Sequence, residues 1–116
     1  MRAIALVLAA LALAAQARAT GYDLDPGASL EGETLRVAPR VSGPPGERLR
    51  YEIAVRREGA GNSADNRQSG TLVLDARGAA RLATTVVSVQ PGESFSVNVK
   101  IYEGQRLAVE RSVSGP

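Results

Sequence analysis

The chain predicts an all-β domain: an antiparallel β-sandwich of six to seven short strands. Three observations carry this. Apolar and polar residues alternate with period two along most of the chain after its first twenty residues, the mark of half-buried strands. Helical spacing is absent over the same stretch. Clusters of Gly, Pro, Asn and Asp interrupt the alternation at intervals of roughly 8–12 residues, the rhythm of sandwich turns.

The elements follow in order. A short strand near 22–30 opens the fold and completes a set of seven. The first clear strand covers 34–41, with Leu35, Val37 and Val41 on one side and Arg36, Ala38 and Arg40 on the other. Pro39 removes a ladder donor there, which suits an edge strand or a bulge. Ser42-Gly43-Pro44-Pro45-Gly46 is a turn. The cleanest alternation lies at 48–58: Leu49, Tyr51, Ile53 and Val55 face in, while Arg48, Arg50, Glu52 and Arg56 face out. A polar loop is read over 59–69 and a strand over 70–74, ahead of the turn Asp75-Ala76-Arg77-Gly78. The strand at 80–89 breaks strict alternation at Val86, Val87 and Val89, which predicts a bulge or a switch between sheets. After the turn Gln90-Pro91-Gly92-Glu93, a strand over 94–102 points Phe95, Val97, Val99 and Ile101 inward. Glu103-Gly104 turns the chain tightly into a last strand over 105–113, with Leu107 and Val109 inward.

Residues 1–19 read as a cleaved secretory signal peptide: Met1-Arg2, an apolar run from Ala3 to Ala15, and the small-x-small site Ala17-Arg18-Ala19. The run is too short to span a bilayer. Residues 20–116 then form one small domain. With no cysteine anywhere, it holds together by strand pairing and aliphatic packing, and thiol chemistry is excluded. The chain has 14 basic and 12 acidic residues. Without Arg2 and Arg18 the two kinds are equal, so the charge argument for nucleic-acid binding disappears. The charges are segregated, however. Residues 22–33 hold Asp23, Asp25, Glu31 and Glu33 and no base, an acidic arm. Arg36, Arg40, Arg48, Arg50, Arg56 and Arg57 follow, against Glu47 and Glu52.

The absence of histidine and cysteine removes the usual nucleophile–base pairs, so the chain reads as a non-enzyme. It offers no cofactor motif. Asp23-x-Asp25 and Glu31-x-Glu33 are close acid pairs, but the spaced ligands of a calcium loop are missing, so no metal site is assigned. If the strands at 34–41 and 48–58 form a hairpin, Arg36, Arg40, Arg48, Arg50 and Arg56 project from one outer face. Two readings stay open for it. One is an electrostatic landing site for an acidic unfolded chain, which the planar, weakly hydrated guanidinium suits. The other is a solvated face in an arginine-rich sequence, with thirteen Arg to one Lys.

One longer stretch carries a resemblance. Arg57-Glu58-Gly59 leads into a small polar loop, and Ser69-Gly70-Thr71-Leu72-Val73-Leu74 follows. Then come Thr84-Thr85-Val86-Val87-Ser88-Val89-Gln90-Pro91-Gly92-Glu93 and Val97-Asn98-Val99-Lys100-Ile101-Tyr102-Glu103-Gly104-Gln105. In order and spacing this resembles the curli assembly chaperones of the CsgC/CsgH type. The resemblance implies an immunoglobulin-like topology, a periplasmic location in a Gram-negative bacterium, and a function without catalysis: inhibiting amyloid nucleation of a curli-type subunit. It implies one partner, the unfolded amyloid subunit, and neither nucleic acid nor membrane insertion after signal cleavage; the domain is expected to be monomeric. Some members carry a Cys-x-Cys pair that would fall at Glu47 and Leu49, so a redox role does not transfer. The alternative class is a structural accessory domain of a surface fibre or adhesin.

Overall fold

A computed structural model describes residues 21–59 and 61–116; the signal peptide read over 1–19 lies outside the described residues. The strands in chain order are β1 (Asp23–Asp25), β2 (Ala28–Glu31), β3 (Thr34–Val37), β4 (Arg40–Ser42), β5 (Arg48–Gly59), β6 (Asn62–Val73), β7 (Ala79–Arg81), β8 (Thr85–Ser88), β9 (Ser94–Glu103) and β10 (Arg106–Gly115). Every pairing is antiparallel. One layer is a four-stranded sheet in the order β10-β9-β5-β6. The other consists of two three-stranded sheets, β1-β4-β7 and β2-β3-β8.

Those two small sheets are one layer interrupted across its middle. The register that pairs Asp25 with Arg40 continues unbroken to Ala28 and Val37, and it sets Pro26 opposite Pro39. Neither proline has an N–H to give the ladder, so the strands are split there. Both rings are buried, and the inward parity is kept. Main-chain bonds across the break hold the halves in line: Ala38 N donates to the Gly27 carbonyl at 3.0 Å, and Leu82 N donates to that of Pro39 at 2.9 Å. On the third strand the register slips by one residue between β7 and β8. That slip is the expected irregularity in 80–89: Leu82, Val87 and Val89 turn inward, while Val86 faces out at 56% exposure. Counting each interrupted strand once gives the seven strands of the expected sandwich. Pro39 sits on the central strand of its layer, not at an edge.

Alternation builds the core as read. Leu24, Leu35, Val37 and Val41 of one layer meet Leu49, Ile53, Val55, Val97, Val99 and Ile101 of the other, all buried. Tyr51 lies toward the rim of this face, its ring packed over Gly70, where an added Cβ would stand 2.7 Å from the phenol oxygen. Two expectations are corrected. Much of the polar stretch read as a loop over 59–69 is strand: from Asn62 onward β6 pairs with β5 without interruption, Asn62↔Gly59 to Val73↔Arg48. Leu107 faces outward at 43% exposure, because the register shifts between Leu107 and Val109 and Ala108 takes the buried position instead.

Gly27 is tightly specified by the proline break. Its φ is +60°, and an added Cβ would meet the Ala38 carbonyl oxygen at an impossible 2.1 Å. Gly27→Ala must therefore push apart the hairpin that carries Leu24 and Leu35. It should destabilise the domain by about 1–3 kcal/mol, read as a lower urea midpoint. A midpoint equal to the parent's would show that the break is not tightly packed.

Candidate functional site

The five arginines singled out from sequence do not share a face. The turn at 43–47 carries the chain from one layer to the other, so β4 and β5 do not form a hairpin. Arg36 and Arg40 point away from the core on the interrupted layer. Arg48, Arg50 and Arg56 point away from it on the four-stranded sheet, on the opposite side of the sandwich.

Register fixes the neighbours of each group. On the four-stranded sheet Arg50 lies between Tyr102 and Thr71, Glu52 between Lys100 and Ser69, Ala54 between Asn98 and Arg67, and Arg56 between Ser96 and Asp65. Arg48 stands opposite Val73, and Leu107 opposite Tyr102. The face thus carries Arg48, Arg50, Arg56, Arg67 and Lys100 against Glu52, Glu58, Asp65 and Glu110. Arg50 bridges Glu52 at 3.0 Å and lies 4.1 Å over the Tyr102 ring. Arg56 bridges Glu58 at 2.7 Å and reaches Asp65 at 4.0 Å. These side chains are about half exposed, and such pairs contribute only about 0–1 kcal/mol. A solvent-borne carboxylate can therefore exchange into them at little cost. Among the described residues Arg48, Arg67 and Lys100 stand in no ion pair. Lys100 and Tyr102 were implicit in the β9 alternation; Arg67 was concealed by reading its strand as a loop.

On the interrupted layer Arg36 lies beside Val86, and Arg40 is flanked by Asp25 and Arg81. Its bridge to Asp25 is long, 3.9 Å. The acidic arm is no free tail. It forms β1 and β2, paired along β4 and β3, and it places Tyr22 and Leu24 in the core. Deleting 22–33 would thus remove a strand rather than uncover a surface.

Among the described residues no group of three acidic side chains is placed to hold a metal. A concavity of about 500 Å³ is lined by Leu30, Glu33, Val89, Pro91, Glu93 and Pro116, among others.

A polar tie joins β1 to the β9–β10 turn. Tyr22 Oη donates to Glu103 Oε2 at 3.1 Å, and Arg106 donates to Glu103 Oε1 at 2.5 Å. Burial, then the bond to the Glu103 carboxylate, pushes the Tyr22 phenol up to about 12. The Arg106 bond, then that of Tyr22, holds the Glu103 carboxyl below its usual range. Deeper in, Arg111 is buried on the core side of β10 and donates from Nη1 to the Leu24 carbonyl at 2.6 Å.

A family model for the thin aggregative fimbriae synthesis protein matches residues 12–113. No curated protein matches the sequence. The solution structure of R. palustris CsgH superposes with a TM-score of 0.61 at 13% identity, covering 79% of this chain and 90% of that one. The E. coli curli protein CsgC superposes with a TM-score of 0.60 at 21% identity, covering 82% and 98%. A Bacteroides uniformis β-glucuronidase superposes with a TM-score of 0.52 at 12% identity, but only 12% of that chain is covered. At these identities the likeness is one of fold: a whole protein in the first two, one module in the enzyme.

The Tyr22 tie has a pH signature. A phenol whose pKa is raised by folding contributes stability that is complete below its ordinary value of about 10 and is lost as pH rises through about 12. The Glu103 shift has the opposite sign, so its contribution is lost as pH falls through the acidic range. Ultraviolet titration should show a tyrosinate step near pH 12 that Tyr22→Phe removes. Retention of that step in the variant would place it on another tyrosine.

Proposed function

The chain belongs to the thin aggregative fimbriae synthesis protein family, and from that premise we propose that it is a periplasmic chaperone that delays amyloid nucleation of a curli-type fibre subunit. It does so by brief, charge-guided contact with the unfolded subunit. The leader-like residues 1–19 and the kinship with CsgC-type proteins support the periplasmic location.

One observation carries the mechanism. The outer face of the four-stranded sheet is broad and open, and it presents Arg48, Arg50, Arg56, Arg67 and Lys100 with their charged ends in reach of solvent. Of the acids among them, Glu52, Glu58 and Asp65 are engaged in weak, half-exposed bridges. An unfolded acidic segment can replace Glu52 or Glu58 at an arginine without the fold rearranging. Tyr102 beneath Arg50, with Leu107 and Val73 at the ends, adds shallow apolar contact. Such a surface favours fast encounter over lasting affinity. That suits an inhibitor which must act on many subunits and release each for export. Arg36 and Arg40, beside Arg81 and Val86, form a second and smaller basic group on the opposite side. It can meet a client separately and cannot act with the first as one surface.

The test is thioflavin-T kinetics of a purified curli major subunit with this protein at low molar ratio. We expect a lengthened lag, an effect that weakens with salt because exposed charges are screened beyond about 8 Å at physiological ionic strength. Arg48→Glu with Arg50→Glu should return the lag toward that of the subunit alone, and Arg36→Glu with Arg40→Glu should do so less, all variants remaining folded. An unchanged lag with the folded parent protein would overturn the chaperone reading. Stable recovery of the protein in the fibre fraction would assign it an accessory structural role instead.

A further inference from the structure

Among the described residues no strand lies on the free side of β6, and this edge lacks most of the devices that usually protect such edges. It is 12 residues long, its register with β5 contains no bulge, and it has no proline and no lysine. The other edges are guarded. Those of the interrupted layer are three or four residues long. The β10 edge is bulged at Ala108 and tied by Arg111 to the Leu24 carbonyl of β1.

The charges on β6 are self-complementary. Asp65 and Arg67 both face outward, directly opposite Arg56 and Ala54 on β5. We infer that the free edge of β6 pairs with the β6 edge of a second copy, antiparallel about a two-fold axis, with Asn66 facing Asn66. This register sets Asp65 opposite the other copy's Arg67, and Arg67 opposite its Asp65. Cross-strand charge pairs of this kind lie about 5 Å apart between Cβ atoms. Ser63 then meets Ser69, and Ala64 meets Gln68. The result is one continuous eight-stranded sheet with both cores on the same side, closed by an isologous contact.

The charges also exclude the neighbouring registers. For both cores to stay on one side, the pairing can move only so that another residue faces itself. Centring on Asp65 sets Asp65 against Asp65, and centring on Arg67 sets Arg67 against Arg67. Like charges directly opposite are destabilising. The contact rests mainly on main-chain hydrogen bonds of one strand, so it is weak and concentration-dependent. It hides one edge and leaves the outer faces of both copies open.

The pairing makes a specific demand on mutants. Asp65→Arg alone, or Arg67→Asp alone, opposes like charges twice in a homodimer. Each should weaken self-association about tenfold. Mixed in equal amounts, the two variants oppose unlike charges twice and should associate at least as tightly as the parent. Sedimentation velocity over a concentration series reads all four samples, with circular dichroism to verify folding. A parent that stays monomeric at every concentration, single variants that dimerise like the parent, or a mixture that stays monomeric would each overturn the inference. Amide hydrogen exchange of the unmodified protein gives a second reading that needs no variant. Alternate β6 amides point to the free edge, so every second one should gain protection as concentration rises; uniform or absent change would count against the pairing. Lag extension in the amyloid assay is read separately, so failure here leaves the chaperone reading intact, and the reverse also holds.

Discussion

The two layers of this domain are joined through their middle by aliphatic side chains. The chain has no cysteine and no tryptophan, so no disulfide pins the sheets together, and the buried aromatic side chains Tyr22 and Phe95 join a core that is otherwise aliphatic. The contact falls to Leu24, Leu35, Val37 and Val41 facing Leu49, Ile53, Val97, Val99 and Ile101. Small branched side chains fill a gap of roughly 10 Å only when every second residue points inward in register on both sheets. That demand explains the backbone's accommodations. Pro26 and Pro39 interrupt the ladder while keeping inward parity, and the slip between β7 and β8 brings Val87 and Val89 back to the core. At the seam, Arg111 donates to a main-chain carbonyl of the opposite layer. It binds β1 to β10 where no disulfide does.

The same parity distributes the charges. Because β5 lies between β6 and β9, each outward residue on it from Arg50 to Glu58 acquires two fixed neighbours. Arginine is thereby set beside Tyr102, Asp65 or a same-strand glutamate. The outer face is neither a uniform positive field nor a neutralised one. It is a mosaic of cations whose partners are weakly held. Under the proposed function, such a mosaic would provide recognition of an unfolded chain without a deep free-energy well.

The strands covered on one face and wet on the other were legible from sequence. Residues 48–58 and 94–102 alternate because one side meets the core and the other meets water, and β5 and β9 follow them closely. The β6 strand was not legible, for a physical reason. Its inward positions Ala64, Asn66 and Gln68 lie at the open rim, where a groove bordered by Val55, Val87 and Ser88 replaces packed core. Polar residues suffice there, and no period-two signal arises. Leu107 was misplaced because a one-residue bulge inverts parity without leaving a mark in the pattern. The shared face expected for the arginines departs from the structure at a different level. Local alternation correctly turned all five arginines outward, but which face each shares depends on whether consecutive strands pair or cross between layers. Five residues of turn decided that, and they carry no pattern that distinguishes the two.

Under the proposed chaperone function, a protein that handles strand-forming clients would face its own edge problem. Every unpaired strand is a template, and an inhibitor with a long open edge risks joining what it restrains. Here the interrupted layer solves this by brevity, since the proline break leaves no edge longer than four residues. β10 solves it with a bulge and a buried tie. β6 does neither, and its hydrophilic sequence is a weak defence, because main-chain pairing needs no apolar side chains. Asp65 and Arg67, two residues apart on one face, supply a different kind of control. They reject the two neighbouring registers by like-charge contact, and they pair opposite charges only in the register centred on Asn66, where the contact closes on itself. A closed pair cannot propagate, whereas a strand added to an edge without register control can. Charge spacing along a single strand can thus separate a protein that caps edges from one that extends them.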